Sequence, residues 1–149
     1  MIIFIKMVDK LKVIPVVNGA RYHLQPVHPK DLGNAYYDIL VNPSVTAGKD
    51  YTLSGKDKIM LIDILKEIAH CLGVKRRFVN VPFFVAYAGS WIIYVLTLKK
   101  IDMREKVQRL CEDRVYPYEE ANRDFGYSPI PFKEGLKAEV EEYSAMTER

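Results

Sequence analysis

The clearest pattern along the chain is amphipathic. Met60, Leu61, Ile64, Leu65, Ile68, Ala69 and Leu72 recur at helical intervals, which places them on one face of a helix. Gly73 follows as a stop residue, since glycine takes the left-handed backbone that ends helices at low cost. No Ser or Thr cap precedes this run, so its start is set only loosely near Ile59-Met60. A second helix is expected from Asp31 to about Val41, with Leu32, Ala35, Tyr36, Ile39 and Leu40 on one face. Asp31 is read as its N-cap and Asn42-Pro43 as its end. Shorter helices are expected over Ile2–Leu11, over Tyr118–Phe125 with Gly126-Tyr127 after it, and over Phe132–Tyr143, where Phe132, Leu136, Val140 and Tyr143 align.

Between these lie β-like runs. Val13–Val17 contains Pro15, which cannot donate to a ladder and so marks an edge strand or extended segment. Asn18-Gly19 signals a turn. Arg21–His28, Asp50–Leu53 and Arg77–Val81 are read as further strands, the last closed by Pro82. The expected fold class is α/β (α+β for these residues taken alone), mostly helical with a few short strands. The 149 residues are read as a single domain, with no internal repeat and no linker.

Residues Phe78–Leu98 form a 21-residue stretch without charge, flanked by Lys75-Arg76-Arg77 and Lys99-Lys100. Pro82 in the first helical turn leaves about 16 residues of helix, or about 24 Å, against the roughly 30 Å of a bilayer core. Asn80, Ser90, Trp91 and Tyr94 also interrupt it. A buried or interface helix is therefore expected ahead of a membrane-surface helix, and a membrane span comes last.

Composition narrows the function. The chain is 49% hydrophobic and 28% charged, which is ordinary for a folded globular protein and excludes a disordered one. A net charge of +3 is too small an excess to argue for nucleic acid. Ile2–Ile5 is too short a run for a signal peptide, so the cytoplasm is the expected location. Cys71 and Cys111 make no disulfide framework and are read as reduced, buried thiols. His23, His28 and His70 form no HxxxH or HExxH pair, so no helical zinc site is expected. No two glycines lie closer than seven residues, so there is no GxGxxG cradle for a pyrophosphate, and no Walker A or GxSxG motif. None of the ten tyrosines is followed by lysine four residues later. Trp91 and Tyr94 fit either a cleft lining or helix packing.

Several short segments occur together in an order that resembles the NAD-dependent epimerase/dehydratase family of extended short-chain dehydrogenase/reductases, which act on nucleotide sugars. They are Gln25-Pro26-Val27-His28-Pro29-Lys30-Asp31-Leu32, Asp50-Tyr51-Thr52-Leu53-Ser54-Gly55, Met60–Gly73, Arg77–Pro82, Gln108-Arg109-Leu110-Cys111-Glu112-Asp113, and Ala121-Asn122-Arg123-Asp124-Phe125-Gly126-Tyr127-Ser128-Pro129 with Phe132–Leu136 after it. The resemblance covers about residues 12 to 143 and is to the C-terminal, substrate-binding portion of a Rossmann-type enzyme. It implies that NAD or NADP, the glycine loop and the Tyr-xxx-Lys pair belong to an N-terminal half not matched here. It implies no cofactor site and no catalytic residue in this chain.

By the same resemblance Arg109 faces a substrate diphosphate, a role that suits the guanidinium fork; a surface ion pair with Glu105 or Asp113 is the equal alternative. Gln25 enters the pocket on its strand. His28 lies near the pocket or bonds the following turn. Trp91 lines the cleft or packs. Leu24 stands where many such epimerases carry a nucleotide-binding arginine. Two functions follow as expectations: the substrate-binding part of a nucleotide-sugar epimerase, dehydratase or reductase, inactive alone, or a non-catalytic membrane-associated assembly module that uses Phe83–Leu98. The expected partners are a nucleotide sugar together with the NAD-binding half and a second copy of the chain, because apolar surface and a strand edge are left open.

Overall fold

The computed structural model describes residues 1–96 and 112–147. The described chain is mixed α/β, mostly helical with a few short strands. It divides into two compact units, one built from Met1–Ile2, Leu24–Ile59 and Arg114–Arg149, the other from Ile3–His23 and Met60–Asp113.

The second unit is organised by parallel pairing of β1 (Val13–Val17) with β4 (Arg77–Val81), in register from Val13 opposite Arg77 to Val17 opposite Val81. Parallel strands need a crossover, and α4 (Leu61–Cys71) lies within it. The alternation of β1 buries Ile14 and Val16, as a strand of period two requires. Ile5 and Val8 of α1 (Ile2–Lys10) and Leu61, Ile64, Leu65, Ile68 and Ala69 of α4 are buried as well. The weak start of α4 has a physical explanation. Met60 holds the cap position without a side-chain bond, and the Leu61 amide instead donates to the Tyr22 carbonyl at 2.9 Å. Arg76 ties α1 down, its guanidinium donating to the Val8 and Asp9 carbonyls at 2.6 and 2.7 Å.

The uncharged segment becomes β4 and then α5 (Phe83–Leu96), with the Pro82 carbonyl accepting the first helical bonds. At 14 residues α5 is about 21 Å long. Among the described residues no helix is long and apolar enough to cross a membrane.

In the first unit, α2 (Pro29–Val41) is followed at once by α3 (Pro43–Thr46), and α6 (Glu119–Phe125) and α7 (Phe132–Thr147) come from the other end of the chain. Gly126 closes α6 at φ 77°, as its stop signal predicts. Three expectations are corrected here. Only His23–Leu24 (β2) of the expected 21–28 strand is ladder-bonded, because Pro26 interrupts the donors, and Ile59–Met60 (β3) is the other two-residue strand. Asp50–Leu53 forms no strand; Tyr51 and Leu53 instead pack against the buried Ala35, Ala121 and Tyr127. Asp31 is not the cap of α2. His28 is, its Nδ1 accepting from the Lys30 amide at 3.2 Å with Pro29 at the first helical position. Asp31 lies within the first turn and accepts from the Ile130 amide at 3.1 Å.

Side-chain bonds take the place of a ladder in this unit. Gln25 donates to the Gly55 carbonyl at 2.7 Å and accepts from the Tyr116 amide at 2.9 Å. Asp57 caps α7 by accepting from the Phe132 amide at 2.8 Å. Gly55 lies so near this clamp that a methyl group there would overlap the Pro26 carbonyl. Gly33, inside α2, has nothing within 4 Å of where a methyl group would stand. Gly55→Ala is expected to destabilise the fold by about 1–3 kcal/mol, and Gly33→Ala to stabilise it by roughly 0.5–1 kcal/mol. Urea denaturation of the two variants should shift the midpoint in opposite directions.

Candidate functional site

The second unit holds a cleft of about 650 Å³ beyond the carboxyl ends of β1 and β4. In open α/β sheets that is where ligands bind, because strand ends leave backbone groups and loops facing one crevice. Its walls include Asn18, Arg21, Met60, Asp63, Lys66 and Asn80.

The cleft is shaped by a left-handed turn. Asn18, Gly19 and Ala20 all have positive φ, at 47°, 70° and 51°. Asn and Gly enter this region readily, but alanine there is strained. Two asparagines hold the turn. The Gly19 amide donates to Asn80 Oδ1 at 2.7 Å, and the Phe83 amide donates to Asn18 Oδ1 at 3.0 Å. The amide nitrogen of Asn18 also donates to the Tyr22 hydroxyl at 3.1 Å. The end of β1 is thereby bonded to β4 and to the first residue of α5. Arg21 runs alongside the turn, its Nε 3.6 Å from where a methyl group on Gly19 would stand. Lys66 pairs with Asp63 at 3.2 Å one turn away on α4. Two cations and one carboxylate leave the cleft net positive, with amide groups between them. Such a surface suits an anionic, hydroxyl-rich ligand.

The residues named from sequence are not gathered at this cleft. Both polar ends of Gln25 are used inside the first unit. His28 is likewise there, its ring against Gly135 and its turn bond made to Lys30. The space beside it, lined also by Ile130 and Leu136, is about 20 Å³, room for no more than about one or two waters. Trp91 is on α5 in the second unit and 54% exposed. Arg109 lies outside the described residues. Asn18 was read only as a turn residue and Asn80 only as a polar break in an apolar run. The usable signal was an Asn at the carboxyl end of each of two Val-rich runs, Asn18 just after β1 and Asn80 next to last in β4.

A second polar cluster lies in the first unit. The Asp124 carboxylate accepts from Lys49 Nζ at 2.6 Å, the Tyr51 hydroxyl at 2.9 Å and Arg123 Nε at 3.1 Å. The bond from Lys49, then that from Tyr51, pulls its pKa from 3.8 to about 2. The same bond raises Lys49, and burial raises the Tyr51 phenol. Burial likewise pushes Tyr127 to about 12, which keeps its hydroxyl a neutral donor to the Ser54 carbonyl at 3.0 Å. This cluster ties the 49–53 segment to α6 through three bonds on one carboxylate, a structural role. A carboxyl with a lowered folded pKa stabilises above its unfolded value and loses that contribution as pH falls through the folded one. The thermal midpoint should therefore drop between about pH 4 and about pH 2 in the natural protein, and Asp124→Asn should lack that component.

No family model matches the chain, and no curated protein sequence does. Solved structures do match in fold. The crystal structure of gox2253 is 17% identical with a TM-score of 0.68, covering 97% of this chain and 43% of that one. The dTDP-glucose 4,6-dehydratase of Bacillus anthracis, solved with NAD, is 14% identical with a TM-score of 0.62, covering 96% and 38%. RMD from Pseudomonas aeruginosa, solved with NADPH, is 14% identical with a TM-score of 0.62, covering 96% and 40%. The likeness is one of fold, Rossmann-type and α/β, and the chain spans about two fifths of the length of these proteins.

Proposed function

We propose that the chain is the C-terminal, substrate-binding portion of an NAD(P)-dependent enzyme acting on nucleotide-linked sugars, and that the cleft beyond β1 and β4 receives the substrate. The observation that carries this reading is the Arg21–Lys66 pair set among asparagines in that cleft. It occurs in a fold shared with a dTDP-glucose dehydratase. A guanidinium offers paired donors to phosphate oxygens, and the side-chain nitrogen of Asn80, whose oxygen holds the Gly19 amide, suits a ribose or sugar hydroxyl. By the resemblance in sequence Arg109 adds a second guanidinium, while Gln25 and His28 hold the first unit in shape.

The cofactor does not fit this chain. Its glycines are nowhere closer than seven residues, and a dinucleotide pyrophosphate needs adjacent glycines so that backbone amides can approach it. NAD or NADP is therefore assigned to the portion of the enzyme not represented here. Support for a missing neighbour comes from β1 and β4. Val13, Pro15, Arg77 and Val79 share one face of the pair and are all exposed, although parallel sheets are ordinarily covered on both faces. Calorimetric titration with uridine or thymidine diphosphate tests the site. Arg21→Ala and Lys66→Ala should each weaken binding by about tenfold, the worth of a charge-assisted bond. Affinity unchanged from the natural protein in both variants would overturn the assignment.

A second reading, a non-catalytic assembly module at a membrane surface, is favoured by α5. Phe84, Val85, Ala88 and Trp91 follow helical spacing and are exposed, Phe84 at 72%. Such a stripe is covered by a partner, a second copy or lipid. Sedimentation with and without vesicles rich in anionic lipid separates these. The enzyme reading expects a self-associated species at micromolar concentration that ignores vesicles. Co-sedimentation lost in Phe84→Ser/Trp91→Ser would favour the second reading and place the chain at the membrane periphery.

A further inference from the structure

We propose that the C-terminal turn of α4 binds a single zinc ion through Glu67, His70 and Cys71. One carboxylate oxygen, one imidazole nitrogen and the thiol sulfur of these residues lie within 4.8 Å of one another. Their spacing of i, i+3 and i+4 is the one that stacks side chains on one helix face. Histidine and cysteine pairs alone do not reveal it, because the third ligand is a glutamate one turn earlier.

The donor chemistry selects the metal. Magnesium and calcium take oxygen ligands almost alone, whereas a nitrogen, oxygen and sulfur set suits borderline-soft zinc. Zinc holds such atoms at about 2.0–2.3 Å, which sets neighbouring donors about 3.5 Å apart in a tetrahedral site. Closing the cluster by about 1 Å is within the reach of side-chain torsions. His70 is exposed and Glu67 and Cys71 half-buried, so water can complete the coordination. Cys71 is a thiol rather than a disulfide. On binding, its sulfur gives up one proton to solvent and ligates as thiolate. The position also favours a cation. Cys71 is the last residue of α4, at the negative end of the helix dipole. This site is separate from the cleft, and its test does not depend on substrate binding.

The test is titration of the tag-free, reduced 149-residue chain with cobalt(II), followed by displacement with zinc. One equivalent of cobalt should produce a sulfur-to-metal charge-transfer band, which zinc abolishes. Cys71→Ser should remove the band, and Cys111→Ser should keep it. His70→Ala and Glu67→Gln should each weaken zinc by at least about tenfold, since even outer-shell partners of a metal site are worth that much. The exposed His70 position keeps the test valid should Cys71→Ser fail to fold. A chain that gives no charge-transfer band overturns the proposal. So does a band that depends on Cys111, or zinc affinity unchanged in His70→Ala.

Discussion

Parallel pairing of β1 with β4 is the constraint on which the second unit depends. Two short strands far apart in the chain can pair in parallel only if a crossover returns the chain to the same end, and α4 is part of that crossover. The pairing sets both carboxyl ends side by side. It thereby brings Asn18 and Asn80 within bonding range of each other's neighbours, and that exchange holds the chain in a left-handed turn that Ala20 would not adopt unaided. The cleft and the start of α5 both follow from this arrangement.

The first unit is held differently. It has no long ladder, so its backbone groups find side-chain partners instead: Gln25 for Gly55 and Tyr116, Asp31 for Ile130, Asp57 for Phe132, and Tyr127 for Ser54. Each bond joins segments remote in sequence. Buried amides and carbonyls need partners wherever they lie, and a unit rich in prolines and short helices meets that need with polar side chains. Residues that look like ligands in a sequence, Gln25 and His28 foremost, are the ones used in this way.

The open face of the β1–β4 pair and the apolar stripe of α5 have a common meaning. Both leave apolar side chains exposed, and the fold is shared with proteins more than twice this length. The enzyme reading and the assembly reading differ in what covers them. The polar, cationic character of the cleft favours the enzyme reading, because an assembly interface needs no pair of cations set among amides.

Local signals alone located α4, α6 and α7. The apolar spacing of Met60–Leu72 and Phe132–Tyr143 and the glycine stops at Gly73 and Gly126 are local signals, and α4, α7 and α6 obey them. Pro15 likewise marked β1 as an edge strand or extended segment, and β1 is one of only two strands in its sheet among the described residues. Tertiary structure decided the rest. Asp50–Leu53 carries a strand-like pattern yet lies as irregular chain, because a strand exists only where another presents its backbone. Asp31 has the composition of a cap yet bonds Ile130, because Pro29 moves the helix start back to His28. The cleft was illegible for the same reason: Asn18, Arg21, Lys66 and Asn80 come from three separate stretches of chain. Spacing along a sequence reports one element's face, and only the folded register of β1 on β4 brings those faces together.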